Sequence, residues 1–201
     1  MRALDAQEVA RRGEIALMRD AGAAIAALVP RYTRGRRIAG VAGPGNNGGD
    51  VFAALASLPA TYERVIYAVS SPRESAARAD AVERAKSAGV RIVAIQGAAQ
   101  TLGLADADLV LDGILGVGSR LPLEPPLDGL AEAINASGAP VLAVDLPSGI
   151  DATHGTYDPH CVRATLTVTI GALKLGLLLD PARDCVGDLW LAPIDFPRTY
   201  A

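Results

Sequence analysis

Two cysteines and two histidines in 201 residues leave little material for thiolate or imidazole chemistry. Cys161 and Cys185 show no CxxC or mixed Cys/His ligand spacing, so reduced, partly buried thiols are expected rather than a disulfide or a zinc site. His154 and His160 sit in a turn-rich stretch without a third ligand nearby and are expected to be exposed. Basic runs are absent: 19 Lys and Arg against 22 Asp and Glu give a net charge of −3, which argues against nucleic acid or an anionic membrane as partner. Apolar stretches are short and broken by glycine or charge, so no membrane span is expected. Met1-Arg2-Ala3-Leu4-Asp5 leads into a charged segment instead of an apolar signal core, and a cytoplasmic location is the expectation. No internal repeat or low-complexity tract shows.

What is there is core-forming material: hydrophobic residues make up 50% and charged residues 20% of the chain, which reads as one domain over 1–201. The stretch Gly43-Pro44-Gly45-Asn46-Asn47-Gly48-Gly49-Asp50 follows the apolar run Ile38-Ala39-Gly40-Val41-Ala42 and precedes a helical pattern from Val51. A strand, a glycine-rich turn and a helix N-terminus in that order offer unpaired N–H groups to an anion. The spacing is neither GxGxxG nor a Walker loop, and a tight turn with Asn as a local cap reads equally well. Asn-Asn-Gly-Gly-Asp, however, carries more oxygen ligands and donors than capping needs.

Residues 5–28 have helical spacing, with Gly13 dividing them and Pro30 expected to stop the run. Strands are expected at 38–42, 65–69, 90–95, 108–112 and 141–145, with helices at 75–88 and 127–136 between them. This alternation predicts an α/β fold, a Rossmann-like three-layer sandwich with a mostly parallel central sheet and helices on both faces. Residues 164–170 alternate like a strand with one exposed face, and 189–192 form a short last one. Three strands then deliver polar loops at their carboxyl ends: 46–50, 112–120 and 145–151. In an open parallel sheet that edge is where ligands bind. Lys174 reads as a surface lysine in a loop, with reach toward a phosphate as the lesser reading.

Three motifs carry a resemblance to a known family. They are Ala42-Gly-Pro-Gly-Asn-Asn-Gly-Gly-Asp50, Asp112-Gly-Ile-Leu-Gly-Val-Gly-Ser-Arg120 and Val144-Asp-Leu-Pro-Ser-Gly-Ile-Asp151. Together with the tail from Thr165 they resemble the NAD(P)H-hydrate epimerases, a domain that also forms the amino-terminal half of bifunctional repair enzymes. Arg19 and Asp20 depart from the Glu-Asn pair usual in that family. The resemblance implies interconversion of the R and S forms of NADHX and NADPHX, the C6-hydrated reduced nicotinamide cofactors. It also implies coupling to an ATP- or ADP-dependent dehydratase that accepts only the S form.

By the same resemblance, Asn46, Asn47, Gly48, Gly49, Asp50, Gly116, Val117, Gly118, Ser119, Arg120, Leu121, Pro122 and Asp145 would line the substrate. Asn47, Asp112 and Ser148 would bind potassium, a role that hard oxygen ligands suit. Asp145, at a strand end, is the expected general acid/base, and its replacement by Asn is expected to stop catalysis with the fold intact. The Ala-rich first helices offer a homodimer face. The alternative is a non-catalytic nucleotide-binding or scaffolding module of the same fold. An ordinary Rossmann dehydrogenase is disfavoured, because Val69-Ser70-Ser71 stands where a ribose-binding acid should end the second strand.

Overall fold

The structure, a computed structural model, describes residues 12–71, 74–95, 102–118 and 121–192. Seven strands form one sheet in the order β3-β2-β1-β4-β5-β6-β7, and every neighbouring pair is parallel. They are β1 (Arg37–Ala42), β2 (Glu63–Val69), β3 (Arg91–Ile95), β4 (Leu109–Gly113), β5 (Val141–Val144), β6 (Leu166–Ile170) and β7 (Asp188–Ala192). The helices are α1 (Glu14–Tyr32), α2 (Asn46–Ser57), α3 (Ala76–Ser87) and α4 (Leu127–Asn135). The chain builds outward from β1 through β2 to β3, then returns to lay β4 on the other side of β1. Strand order therefore reverses between β1 and β4, and a crevice opens there at the carboxyl edge.

Successive residues of a strand face opposite sides, so the sheet feeds two cores. Ile38, Leu109, Leu111, Leu142 and Val168 pack on one face beneath α1, α2 and α3, with Ile25, Val29, Phe52 and Leu55 from the helices. Ala39, Val41, Val65 and Val110 pack on the other face with Leu130, Ala131 and Ile134 of α4. Ser75 caps α3 by accepting a hydrogen bond from the Arg78 N–H at 3.2 Å. Arg64, almost wholly buried in β2, closes two helix ends at once. Its guanidinium donates to the Leu58 carbonyl at 2.9 Å after α2 and to the Ala88 carbonyl at 2.7 Å after α3.

Three local expectations are corrected. Pro30 does not stop the first helix, which runs to Tyr32. It sits in the last turn, where the lost N–H removes a single bond, and the Thr33 N–H still reaches the Val29 carbonyl at 3.2 Å. The earlier of the two expected helices lies outside the described residues apart from Arg12, and Gly13 adopts φ 80° at the break. Strand β6 has no exposed face, since Thr167 and Thr169 are as buried as Leu166 and Val168. It is an interior strand between β5 and β7, and the Thr167 hydroxyl is satisfied by the Val186 carbonyl at 2.7 Å.

Cys161 and Cys185 are free and buried, their sulfurs 3.2 Å apart, and burial pushes the Cys161 thiol up to about 12. His154 is exposed beside Asp151, and His160 beside Glu132. No helix among the described residues is long and apolar enough to cross a membrane.

Candidate active site

The loops after β1, β4 and β5 meet at the crevice. Packing between the first two is close: the Gly43 N–H donates to the Gly113 carbonyl at 3.0 Å. A Cβ on Gly43 would stand 1.7 Å from the Ile114 carbonyl oxygen, so only glycine fits there. Asn46 opens α2, and its side-chain oxygen accepts from the Ser75 hydroxyl at 2.7 Å. The result is a cleft of about 390 Å³ lined by Pro44, Gly45, Asn46, Asn47, Asp50, Ile114, Leu115, Gly116, Val117, Gly118 and Asp145. A smaller hollow of about 180 Å³ adjoins it, bordered by Glu14, Leu17, Met18, Ala21, Ala77 and Ile170. Asn46 and Asp50 stand between the two.

Beneath the cleft floor the three loops are tied through oxygen. Asp112, fully buried, accepts from the Ser148 N–H at 2.8 Å, the Ser148 hydroxyl at 2.7 Å and the Ile114 N–H at 3.2 Å. The Ser148 oxygen in turn accepts from the Leu115 N–H at 3.0 Å. Asn47 donates to the Leu115 carbonyl at 2.8 Å, which leaves its own Oδ1 buried with no partner. Burial raises Asp112 to about 6, against the pull of the Ser148 and Ile114 donors, and no cation among the described residues pairs with it. An orphaned amide oxygen, an unneutralised carboxylate and a hydroxyl form a donor set that fits a hard monovalent or divalent cation. No group of three His, Cys, Asp or Glu side chains that could hold a metal occurs among the described residues.

Asp145 follows β5 directly and has φ 69°, the single non-glycine positive φ among the described residues. For a side chain other than glycine this region costs of order 1–3 kcal/mol, a strain found mainly at functional sites. The turn aims its carboxylate into the cleft. There Oδ1 accepts from the Ile170 N–H at 3.1 Å and from the Lys174 ammonium. Lys174 is not the surface lysine expected from sequence: its side chain is 3% exposed, and it also donates to the Ile170 carbonyl at 2.7 Å. The physical reason is pairing, because a carboxylate delivered by a different strand neutralises an ammonium that could not otherwise be buried. Asp50 faces the same cleft from α2. Burial, and next the Asp145 charge, push its carboxyl well above the usual carboxylate range, with Lys174 pulling weakly the other way.

Of the residues expected to line the substrate, Asn46, Asn47, Asp50, Gly116, Val117, Gly118 and Asp145 border the cleft. Gly48 and Gly49 lie buried behind it, against the Gly43 carbonyl and Met18, and let α2 seat close to its neighbours. Leu121 and Pro122 are not on the cleft wall, and Ser119 and Arg120 lie outside the described residues. Asn47, Asp112 and Ser148 come together as expected of them, joined through Leu115. Sequence reasoning missed Lys174, whose only signal was a charge inside the otherwise apolar Leu173-Lys174-Leu175-Gly176-Leu177-Leu178. Arg19, where the family pattern differs, forms a surface ion pair with Asp80 at 2.6 Å.

An all-parallel, open α/β sheet with a glycine-walled cleft at its switch point, lined by two aspartates, one of them paired with a buried lysine, defines a Rossmann-like domain. Residues 14–176 match the family model described as YjeF-related protein N-terminus, and the chain belongs to that family, which includes the NAD(P)H-hydrate epimerases. It is 33% identical over 195 residues to an NAD(P)H-hydrate epimerase of Limosilactobacillus fermentum, covering 96% of this chain and 92% of that one. An NAD(P)H-hydrate epimerase of Microbacterium testaceum is 43% identical over 171 residues, covering 81% of this chain and 64% of that one. A bifunctional NAD(P)H-hydrate repair enzyme of Pyrobaculum aerophilum is 39% identical over 189 residues, 91% of this chain but 38% of that protein. The chain thus spans well under half the length of the bifunctional relatives it matches. Yeast ynu0 (YNL200c) shares the fold, with a TM-score of 0.75 at 20% identity over 92% of this chain and 80% of that one.

Proposed function

We propose that this protein interconverts the R and S epimers of C6-hydrated NADH and NADPH, an isomerase reaction of nicotinamide cofactor repair. The observation that carries the reading is the meeting of Asn46, Asn47, Asp50, Gly116–Gly118 and Asp145 around one cleft at the switch point. Relatives of matching length that are named for this activity support it.

The reaction asks little of a protein. The C6 carbon bears a hydroxyl next to a ring nitrogen whose lone pair can expel it, and oxygen then returns to the other face. The protein must hold the dinucleotide, move a proton at the hydroxyl and keep bulk water out. The α2 N-terminus, with its free N–H groups, suits the substrate's phosphates. Asp145, fixed by Ile170 and Lys174, presents a carboxylate to the reacting carbon. Asn47, Asp112 and Ser148 would hold potassium, whose positive charge would neutralise Asp112 and lock the three loops together. The S epimer would pass to an ATP- or ADP-dependent dehydratase, the activity that a bifunctional chain would carry in its other half.

The test is direct. Purified protein, in potassium buffer, should speed the approach of an unbalanced NADHX epimer mixture to equilibrium. A rate equal to the spontaneous one, from folded protein, would end the proposal.

A further inference from the structure

We infer that the two cleft carboxyls divide the proton work, Asp50 acting as the acid and Asp145 as the base, with Lys174 as the positioning residue that holds the Asp145 carboxylate in place. This deepens the epimerase reading above and rests on it.

Two carboxyl groups line the cleft, and the Lys174 ammonium behind them is committed to Asp145 Oδ1 and the Ile170 carbonyl. Asp50 makes no hydrogen bond or ion pair with another described residue. Facing it are Asp145 from the turn after β5 and Lys174 from the segment after β6, with Glu14 of α1 at the rim of the adjoining hollow. A second negative charge there has burial and the Asp145 carboxylate against it, so Asp50 is the group that keeps its proton. The two groups also follow different strands, Asp50 on the helix after β1 and Asp145 in the turn after β5. β4 lies between β1 and β5, which sets the parent strands about 10 Å apart and lets the side chains approach a ring from two sides.

An epimerisation through loss and return of water needs that asymmetry. Asp50 gives its proton to the C6 hydroxyl oxygen, the C6–O bond breaks with its electron pair on oxygen, and water departs. The ring nitrogen lone pair forms the C=N bond of an iminium cation. Water then adds to C6 from the opposite face, its proton passes to Asp145, and the C=N pair returns to nitrogen. One water leaves and one enters, no electrons change hands, and the net transfer is a proton from Asp50 to Asp145. The opposite epimer runs the same steps backward, with the two roles exchanged.

Interconversion rates of NADHX epimers are measured by chromatography across pH 5.5–9 for the wild-type protein, Asp50→Asn, Asp50→Glu and Lys174→Met. Asp50→Asn should lower kcat by about 100-fold or more with KM little changed, and Asp50→Glu should recover part of the loss. The wild-type rate should fall as pH rises and Asp50 ionises, and the residual Asp50→Asn rate should lack that fall. Lys174→Met, which leaves the Asp145 carboxylate without the ammonium that holds it, should lower kcat with KM little changed. Asp50→Asn with near wild-type kcat, or with a raised KM alone, overturns the inference. So does a wild-type rate that stays level as pH rises, a result that needs no variant. A wild-type protein without activity would instead overturn the epimerase reading itself.

Discussion

Replacing Lys174 by Met removes a cation from a site where its partner cannot easily reach water. The two side chains are 3% and 15% exposed, so Asp145 would keep a charge with the Ile170 N–H as its remaining described donor. The Ile170 carbonyl would also lose the ammonium that donates to it at 2.7 Å. Breaking one member of a buried pair costs about 3–5 kcal/mol, and the residual contact of Asp145 with the cleft places this case near 3. The reciprocal change, Asp145→Asn, leaves a buried ammonium whose neutral neighbour can still accept a hydrogen bond, at a cost of about 2 kcal/mol. Asp145→Asn is therefore expected to cost some stability, and its kinetics need a stability control. The double variant leaves no uncompensated charge, so its loss should fall short of the summed singles by about 2 kcal/mol. Urea denaturation of the four proteins at pH 7.5 measures this. Losses that add to within about 0.5 kcal/mol would refute the pairing argument.

Three further outcomes follow from the same geometry. The carboxyl of Asp112 rises from its ordinary 3.8 to about 6 in the fold, so the folded state holds that proton more tightly than the unfolded chain. Its contribution is present below pH 3.8 and lost as pH rises through 6, about 3 kcal/mol in all, which denaturation in potassium-free buffer between pH 5 and 7.5 would register. Potassium should offset that loss: melting temperature at pH 7.5 should rise with added potassium and stay level with lithium, and Ser148→Ala should abolish the difference. Gly43→Ala, which sets a methyl against the Ile114 carbonyl, should destabilise by about 1–3 kcal/mol or more, seen as a lower urea midpoint.

Much of the architecture was readable because backbone demands write themselves into residue type. Strands buried on both faces read as continuous apolar runs, as in Ile38–Ala42 and Val141–Val144, and glycines collect where loops cross closely, as at Gly43 and Gly116. Asp112 and Asp145 stood out because they end such runs. What could not be read depends on partners distant in sequence. Lys174 is buried because Asp145, 29 positions earlier, stands beside it. Thr167 and Thr169 gave β6 an alternating pattern, yet the neighbouring strands and the Val186 carbonyl let both go inside. The unpartnered Asn47 Oδ1 follows from where the Leu115 carbonyl falls, which no spacing announces.

The rate at which the folded protein equilibrates separated R- and S-NADHX in potassium buffer, against the protein-free rate, tests the central claim most directly. The account predicts rapid equilibration by the wild type and near-spontaneous rates for both Asp145→Asn and Asp50→Asn that still fold. Wild-type protein that binds NADHX but leaves the epimer ratio drifting at the protein-free rate would contradict it.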